Sequence, residues 1–298
     1  MLWENLRPDQ WDDMLKKSNY TCVVAVGCVE NHGLHMPLGC DTINGAAYVE
    51  KAAELADVCV FPPLYFGDLV GSRRSKYVEG TKFGEGPKPG YIALSSQLLM
   101  KLLEEICDEI ARNGFKKIIV VSCHGGNIPL MGFFERSMGM KKRDYEVFTM
   151  RDGLADPNEI YADILAGKTE GYPEFTEEDI EALRDYHDNG GWDGHGGFVE
   201  CCYMQVTRPN HVRLDKCAET INNGSGKGDP VIEKKLDWHK LWDLHHPHAH
   251  DGYPGTKVTP NVAQAVFDLA VKSIADKFKF VKDDPRMQAL IEEVKDFK

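Results

Sequence analysis

Residues Cys22 to Val29, Cys-Val-Val-Ala-Val-Gly-Cys-Val, form an apolar run with no polar alternation, and it stops abruptly at Glu30-Asn31-His32. A strand of this kind needs cover on both faces, so it predicts an inner strand of a parallel sheet with helices above and below. Glu30 and His32 are two apart, which on an extended backbone sends both side chains from the same face. His35 follows, and Pro37, Gly39 and Asp41 close the loop before an alanine-rich helical segment. Carboxylates and imidazoles at the C-terminal end of a buried strand are the donors a Zn²⁺ or Mn²⁺ site takes. Open α/β sheets also place their ligands at that edge.

A lone Glu-x-His is more often an ion pair than a metal site. A second cluster weighs against that plain reading: Lys117–Cys123 is another apolar strand, and it runs directly into His124-Gly125-Gly126-Asn127.

These motifs carry a family resemblance. Val26-Gly27-Cys28-Val29-Glu30-Asn31-His32-Gly33-Leu34-His35-Met36-Pro37-Leu38, then Asp41, His124-Gly125-Gly126-Asn127, and His195-Gly196-Gly197-Phe198-Val199-Glu200 resemble the creatininase (creatinine amidohydrolase) family, as does the Gly252-Tyr253-Pro254-Gly255 turn. The resemblance runs from about residue 20 to about 280. It implies a three-layer α/β/α fold with a mainly parallel central sheet, and a homo-oligomer, a hexamer in the family. It also implies two divalent ions, Zn²⁺ and/or Mn²⁺ with Fe²⁺ an admissible substitute, about 3.5 Å apart in a site of this type. One ion would take Glu30 and His124 and the other His32, with Asp41 bridging. The namesake enzymes carry Glu two residues after the histidine that His124 matches; here that place is Gly126, and Glu200 is the expected replacement.

The implied activity is hydrolysis of a small polar cyclic substrate by activated water, with a cyclic amide C–N bond as the leading target. A creatininase relative that cleaves a C–C bond in a cyclic polyhydroxy ketone, 3-dehydro-scyllo-inosose, supplies the alternative. A metal-binding protein without turnover is the alternative of another class. His195 is the candidate proton shuttle, since an imidazole exchanges protons near neutral pH. Its plain reading is a hydrogen bond at a helix start. Trp192, Arg73, Arg74 and Asn127 are candidate substrate contacts, and His35 is expected to support the ligands rather than bind metal.

Composition narrows the partners. A net charge of −12 over 298 residues disfavours nucleic acid and anionic membrane surfaces. No apolar run approaches the roughly 20 residues of a membrane span, and the N-terminus lacks a signal-peptide core. A cytoplasmic enzyme of small molecules is the expectation. Nine cysteines, an odd number without a Cys-x-x-Cys pair, fit a reducing compartment.

Along the chain, one domain is expected, with a helix at Arg7–Lys17, a helix at Asp41–Leu55, and a short strand at Asp57–Pro62 ended by Pro62-Pro63. Residues 64–92 read as a long basic loop holding Arg73, Arg74 and Lys76. Ser95 and Ser96 cap an amphipathic helix with Leu99, Leu102, Leu103, Ile106 and Ile110 on one face. A helix at about 128–140 and a strand at Tyr145–Met150 complete a β-α-β alternation. Residues 151–194 read as an acidic, lid-like insertion in which Thr176 caps a helix with Asp179 at its third position. His245–His250 holds four histidines in six residues. Thr259-Pro260 opens the last long helix.

Overall fold

Every residue of β1 (Thr21–Val26) and of β3 (Lys117–Ser122) is buried, as the apolar runs require. In the computed structural model, which describes residues 1–68, 92, 94–151, 155–190, 193–217 and 255–295, these two strands lie side by side at the centre of a sheet. β2 (Cys59–Leu64) flanks β1 and β4 (Glu146–Arg151) flanks β3, giving the order β2-β1-β3-β4 with every pairing parallel.

Alternate residues of the central strands feed two separate cores. Val23, Ala25, Ile119 and Val121 face one side, where they meet α2 (Cys40–Ala56), α7 (Phe198–Thr207) and α8 (Pro260–Asp283). Cys22, Val24, Val26, Ile118 and Val120 face the other, against α3 (Ser96–Arg112) and α4 (Ile128–Met138). The result is an α/β/α sandwich. α3 presents Leu99, Leu103, Cys107 and Ile110, a helical stripe of fully buried side chains. Each such leucine or isoleucine contributes about 1.5–3 kcal/mol by leaving water. Ser95 caps the helix by accepting from Leu98 N, and Gly114 ends it at φ +106°.

Three expectations shift. The N-terminal helix begins at Trp11 (α1, Trp11–Lys17), because Pro8 starts a separate 3-10 turn; Met14 is its fully buried residue, with Trp11 and Leu15 half-buried beside it. β1 ends at Val26, since the Gly27 position lies against α2, where a Cβ would stand 2.3 Å from Thr42 Oγ1. Pro62-Pro63 does not end β2. The register jumps from Val24–Phe61 to Val26–Leu64, so both prolines stand opposite Ala25 as a bulge in an edge strand.

The acidic segment contains two helices, α5 (Pro157–Leu165) and α6 (Glu177–Asp188). Ile160, Tyr161, Ala182, Leu183 and Tyr186 are buried in the core that holds α2 and α8. Thr176 caps α6 in a capping box with Asp179. Asp179 also accepts from Thr259 Oγ1 and Asn261 Nδ2, tying the start of α6 to the start of α8. This stretch is therefore bolted to the core rather than laid over it. A last helix, α9 (Pro285–Lys295), follows α8. Among the described residues no helix is long and apolar enough to cross a membrane.

Candidate metal centre

Five side chains from four parts of the chain converge beyond the C-terminal ends of β1 and β3. Glu30 and His32 come from the loop after β1, Asp41 from the first turn of α2, His124 from the end of β3 and Glu200 from the first turn of α7. Asp41 stands between the two imidazoles. Its Oδ1 is 3.2 Å from His32 Nε2, and its Oδ2 is 3.4 Å from His124 Nδ1. Each histidine has a second carboxylate: Glu30 Oε1 lies 3.1 Å from His124 Nδ1, and Glu200 Oε1 lies 3.7 Å from His32 Nε2. Two donor triads sharing one aspartate result. The positive end of the α2 dipole favours a carboxylate at Asp41.

Backbone carbonyls fix the rings. His124 Nε2 contacts Asp68 O at 3.0 Å, His195 Nε2 contacts Asn31 O at 2.8 Å, and His32 Nδ1 contacts Glu30 O at 3.4 Å. A nitrogen facing a carbonyl carries the hydrogen, so in the neutral ring the other nitrogen turns a lone pair toward the carboxylates. That is how metal-binding histidines are held.

Electrostatics report the same crowding. Burial would lower the His32 pKa, but Asp41 and Glu200 raise it to about 10. Burial is likewise overcome at His124, which Glu30 and Asp41 hold well above its ordinary value. Burial would raise Asp41, yet His32 and His124 bring it well below. Glu30 is lowered too, against its burial, by His124 and His195. Without cations, protons on the imidazoles balance the carboxylates.

The donor set fits cations. Glu30 Oε1 is buried and makes no hydrogen bond, although His124 Nδ1, His195 Nδ1 and His32 Nε2 surround it at 3.1, 3.5 and 4.0 Å. A buried carboxylate oxygen facing three imidazole nitrogens out of hydrogen-bond alignment is placed to bind a positive ion. Nitrogen and oxygen donors of this kind suit Zn²⁺, Mn²⁺ or Fe²⁺. Cys28 donates its thiol to Asp41 Oδ2 at 2.8 Å, and burial, with Asp41 and Glu30 nearby, keeps it protonated.

A family model described as creatininase, creatinine amidohydrolase, matches residues 4–278. The chain belongs to the creatininase family. A creatinine amidohydrolase of Pseudomonas putida is 27% identical over 206 residues, covering 66% of this chain and 68% of that protein. Among solved structures, a creatininase variant of the Zn–Zn type aligns with a TM-score of 0.63 at 19% identity, covering 95% of this chain and 98% of that one. A Mn creatininase gives 0.60 at 18% with the same coverage. At this identity the likeness is one of fold.

Against the creatininase motif, Gly126 has a steric reason. A Cβ there would stand 2.4 Å from Asp68 O and 2.4 Å from His124 Nε2. The space a side chain would need holds the contact that orients His124. Glu200 meanwhile faces His32 and accepts from Gly196 N at 2.6 Å through its other oxygen.

His195 stacks on His32 with ring centroids 4.0 Å apart, and it is the more exposed of the two. His35 is buried with Nε2 on the Gly196 carbonyl at 2.9 Å, close to Glu200's anchor. Asn127 is fully buried, its Nδ2 donates to Val26 O and Gly27 O, and its Oδ1 accepts from Asp68 N at 2.8 Å. It clamps the end of β1 to Asp68. Trp192, Arg73, Arg74, Lys76, residues 252–254 and His245–His250 lie outside the described residues. Asp68, Asn31 and Gly196 were not legible as site residues, because each acts through its backbone.

Proposed function

We propose that this protein is a metal-dependent hydrolase that opens a small polar cyclic substrate at a cyclic amide C–N bond. The observation that carries the reading is Asp41, whose two oxygens face two different histidines, each beside a second carboxylate. Glu30, His124 and Asp41 would hold one divalent ion, and His32, Asp41 and Glu200 the other, with Zn²⁺ or Mn²⁺ the expected metals. Two such ions supply Lewis acidity toward a carbonyl oxygen and an acidified water.

The chain's own residues do the rest. Three carboxylates against two divalent charges leave a site that favours negative charge developing on the substrate oxygen. His195 presents Nδ1 toward Glu30 while Asn31 O holds Nε2. Nδ1 is thus the atom that would take up a proton at the centre and pass it to a leaving nitrogen. Stacking on His32 keeps the His195 ring from turning that atom away.

The test is turnover by metal-loaded protein in ¹⁸O-labelled water, with cyclic amides and cyclic polyhydroxy ketones side by side. Ring-opened acid from a cyclic amide, bearing one labelled oxygen, supports the reading. Turnover of ketones alone moves the assignment to C–C hydrolysis, and metal uptake without turnover of either leaves a metal-binding protein. Glu30→Gln should lose bound metal and activity together; activity in metal-free Glu30→Gln protein would sink the hydrolase reading.

A further inference from the structure

A second cluster of metal-ligating side chains lies behind the centre just described and shares no donor with it. His35, Cys201 and Cys217 bring an imidazole nitrogen and two sulfurs within 4.8 Å of one another. All three are closed off, at 1%, 0% and 0% exposure. We propose that they form a structural site for one thiolate-preferring divalent cation of the Zn²⁺ class.

Four observations carry this. The Gly196 carbonyl holds His35 Nε2 at 2.9 Å, so in the neutral ring Nδ1 is the nitrogen that carries the lone pair. The Cys201 and Cys217 sulfurs stand within 4.8 Å of each other, with Cys201 Sγ on the Gly196 carbonyl at 4.0 Å. The backbone N–H of Gly255 donates to Cys217 Sγ at 3.2 Å, an interaction that strengthens when the sulfur is a thiolate. Gly255 is also the residue that makes room, because a Cβ there would stand 2.5 Å from Cys201 Sγ.

Charge and size agree. Two thiolates and a neutral imidazole balance one divalent ion, so the complex is neutral where water is excluded. Zn–S bonds of about 2.3 Å and Zn–N bonds of about 2.0 Å in a tetrahedron set donors about 3.5–3.8 Å apart, a contraction of about 1.0–1.3 Å at most from 4.8 Å. Binding forms two sulfur–metal bonds and one nitrogen–metal bond and releases two thiol protons. Three protein donors leave one position of the tetrahedron for a fourth ligand. Its burial, with all three donors at 0–1% exposure, closes the site to substrate and makes its role structural.

Its placement gives it work to do. His35 sits on the loop that carries Glu30 and His32, Cys201 follows Glu200 on α7, and Cys217 follows the turn at Leu214–Lys216. Gly196 contacts both sides, holding His35 through its carbonyl and Glu200 through its amide. A cation here would staple the walls that position Glu200.

The experiment loads the chelator-stripped full chain with Co²⁺ and reads the thiolate-to-cobalt charge-transfer absorption in the near ultraviolet. The main centre presents nitrogen and oxygen donors, and Cys28 is the thiol grouped with Glu30, Asp41 and His124, so Cys28→Ser is the control. The band should appear in the wild type and in Cys28→Ser and vanish in Cys217→Ser, while the visible bands persist. In the zinc-loaded wild type, which needs no substitution to fold, X-ray absorption should show sulfur at about 2.3 Å from part of the metal. No band and no sulfur shell in the wild type overturns the proposal, as does a band lost in Cys28→Ser and kept in Cys217→Ser. Loss of turnover alone bears on the main centre and leaves this readout intact.

Discussion

The carbonyl oxygen of Asp68 and Nε2 of His124 meet at 3.0 Å in the space that a Cβ on Gly126 would have to enter. The glycine therefore keeps the imidazole that faces Glu30 and Asp41 in its orientation. Gly126→Ala and Gly126→Glu should both weaken metal binding by about 10–100-fold, the usual cost of disturbing a ligand's support. The glutamate would add no donor. Competition with a chromophoric chelator measures the change, and metal affinity in Gly126→Glu equal to or above wild type would refute the steric account.

Glu200→Ala should lower metal content from about two ions to about one at the main centre, because Glu200 is the second carboxylate of the His32 triad. Elemental analysis of protein purified without chelator reads this directly. The Cys217→Ser background removes any contribution of the thiolate cluster. Unchanged content would assign Glu200 to its bond with Gly196 alone.

Metal binding should become tighter as pH rises. His32 titrates at about 10 in the metal-free protein and His124 well above its ordinary value, so both bind a proton at neutral pH. Loading must displace about two protons, countable by calorimetry in buffers of different ionisation enthalpy. In the metal-free protein, the His32 pairing contributes stability that is complete below its unfolded value of 6.5 and is lost as pH rises toward 10. Asp41 has the opposite sign: its lowered value contributes stability above its ordinary 3.8 and loses it as pH falls. The Tm gained on metal loading should therefore grow between pH 6.5 and 9. A gain that is flat over that range would mean that the histidines are neutral before binding.

Asn127→Ala should destabilise the fold. It takes the partner from Gly27 O and Asp68 N, each costing about 1–3 kcal/mol when left unmade and partly recovered by relaxation, whereas Val26 O keeps its bond from Cys123 N at 2.9 Å. A net loss of about 2–4 kcal/mol corresponds to a Tm drop of roughly 4–10 °C. A variant with normal Tm but impaired substrate binding would restore the role first expected of this residue.

Much of the frame is legible in side-chain pattern alone. The unalternating runs of β1 and β3 announce burial on both faces, and Leu99, Leu103, Cys107 and Ile110 mark the buried stripe of α3. Thr176, Asp179 and Thr259 announce helix starts because capping is short-range chemistry. Glu30, His32, Asp41, His124 and Glu200 stand out as donor types, and the fold brings them together. What the pattern hides is backbone. The Asp68 and Asn31 carbonyls orient two imidazoles, yet every residue has a carbonyl, so nothing in composition marks these. Asn127 shows a related limit: in a sequence, an amide beside a site looks the same whether it faces ligand or scaffold, and here it bonds to Val26 O and Asp68 N.

The Pro62-Pro63 bulge has a consequence at the rim of the sheet. Among the described residues β2 is an edge strand, and an edge strand with a full row of N–H groups is a template for another chain. Two successive residues of this one have no N–H to offer. Just before them, Val60 N already donates to Met1 O at 2.8 Å, with Leu2 bridged alongside. Residues Met1 and Leu2 and a pair of imino acids thus block this rim against addition of a strand from another chain, whether or not an ion or substrate is bound.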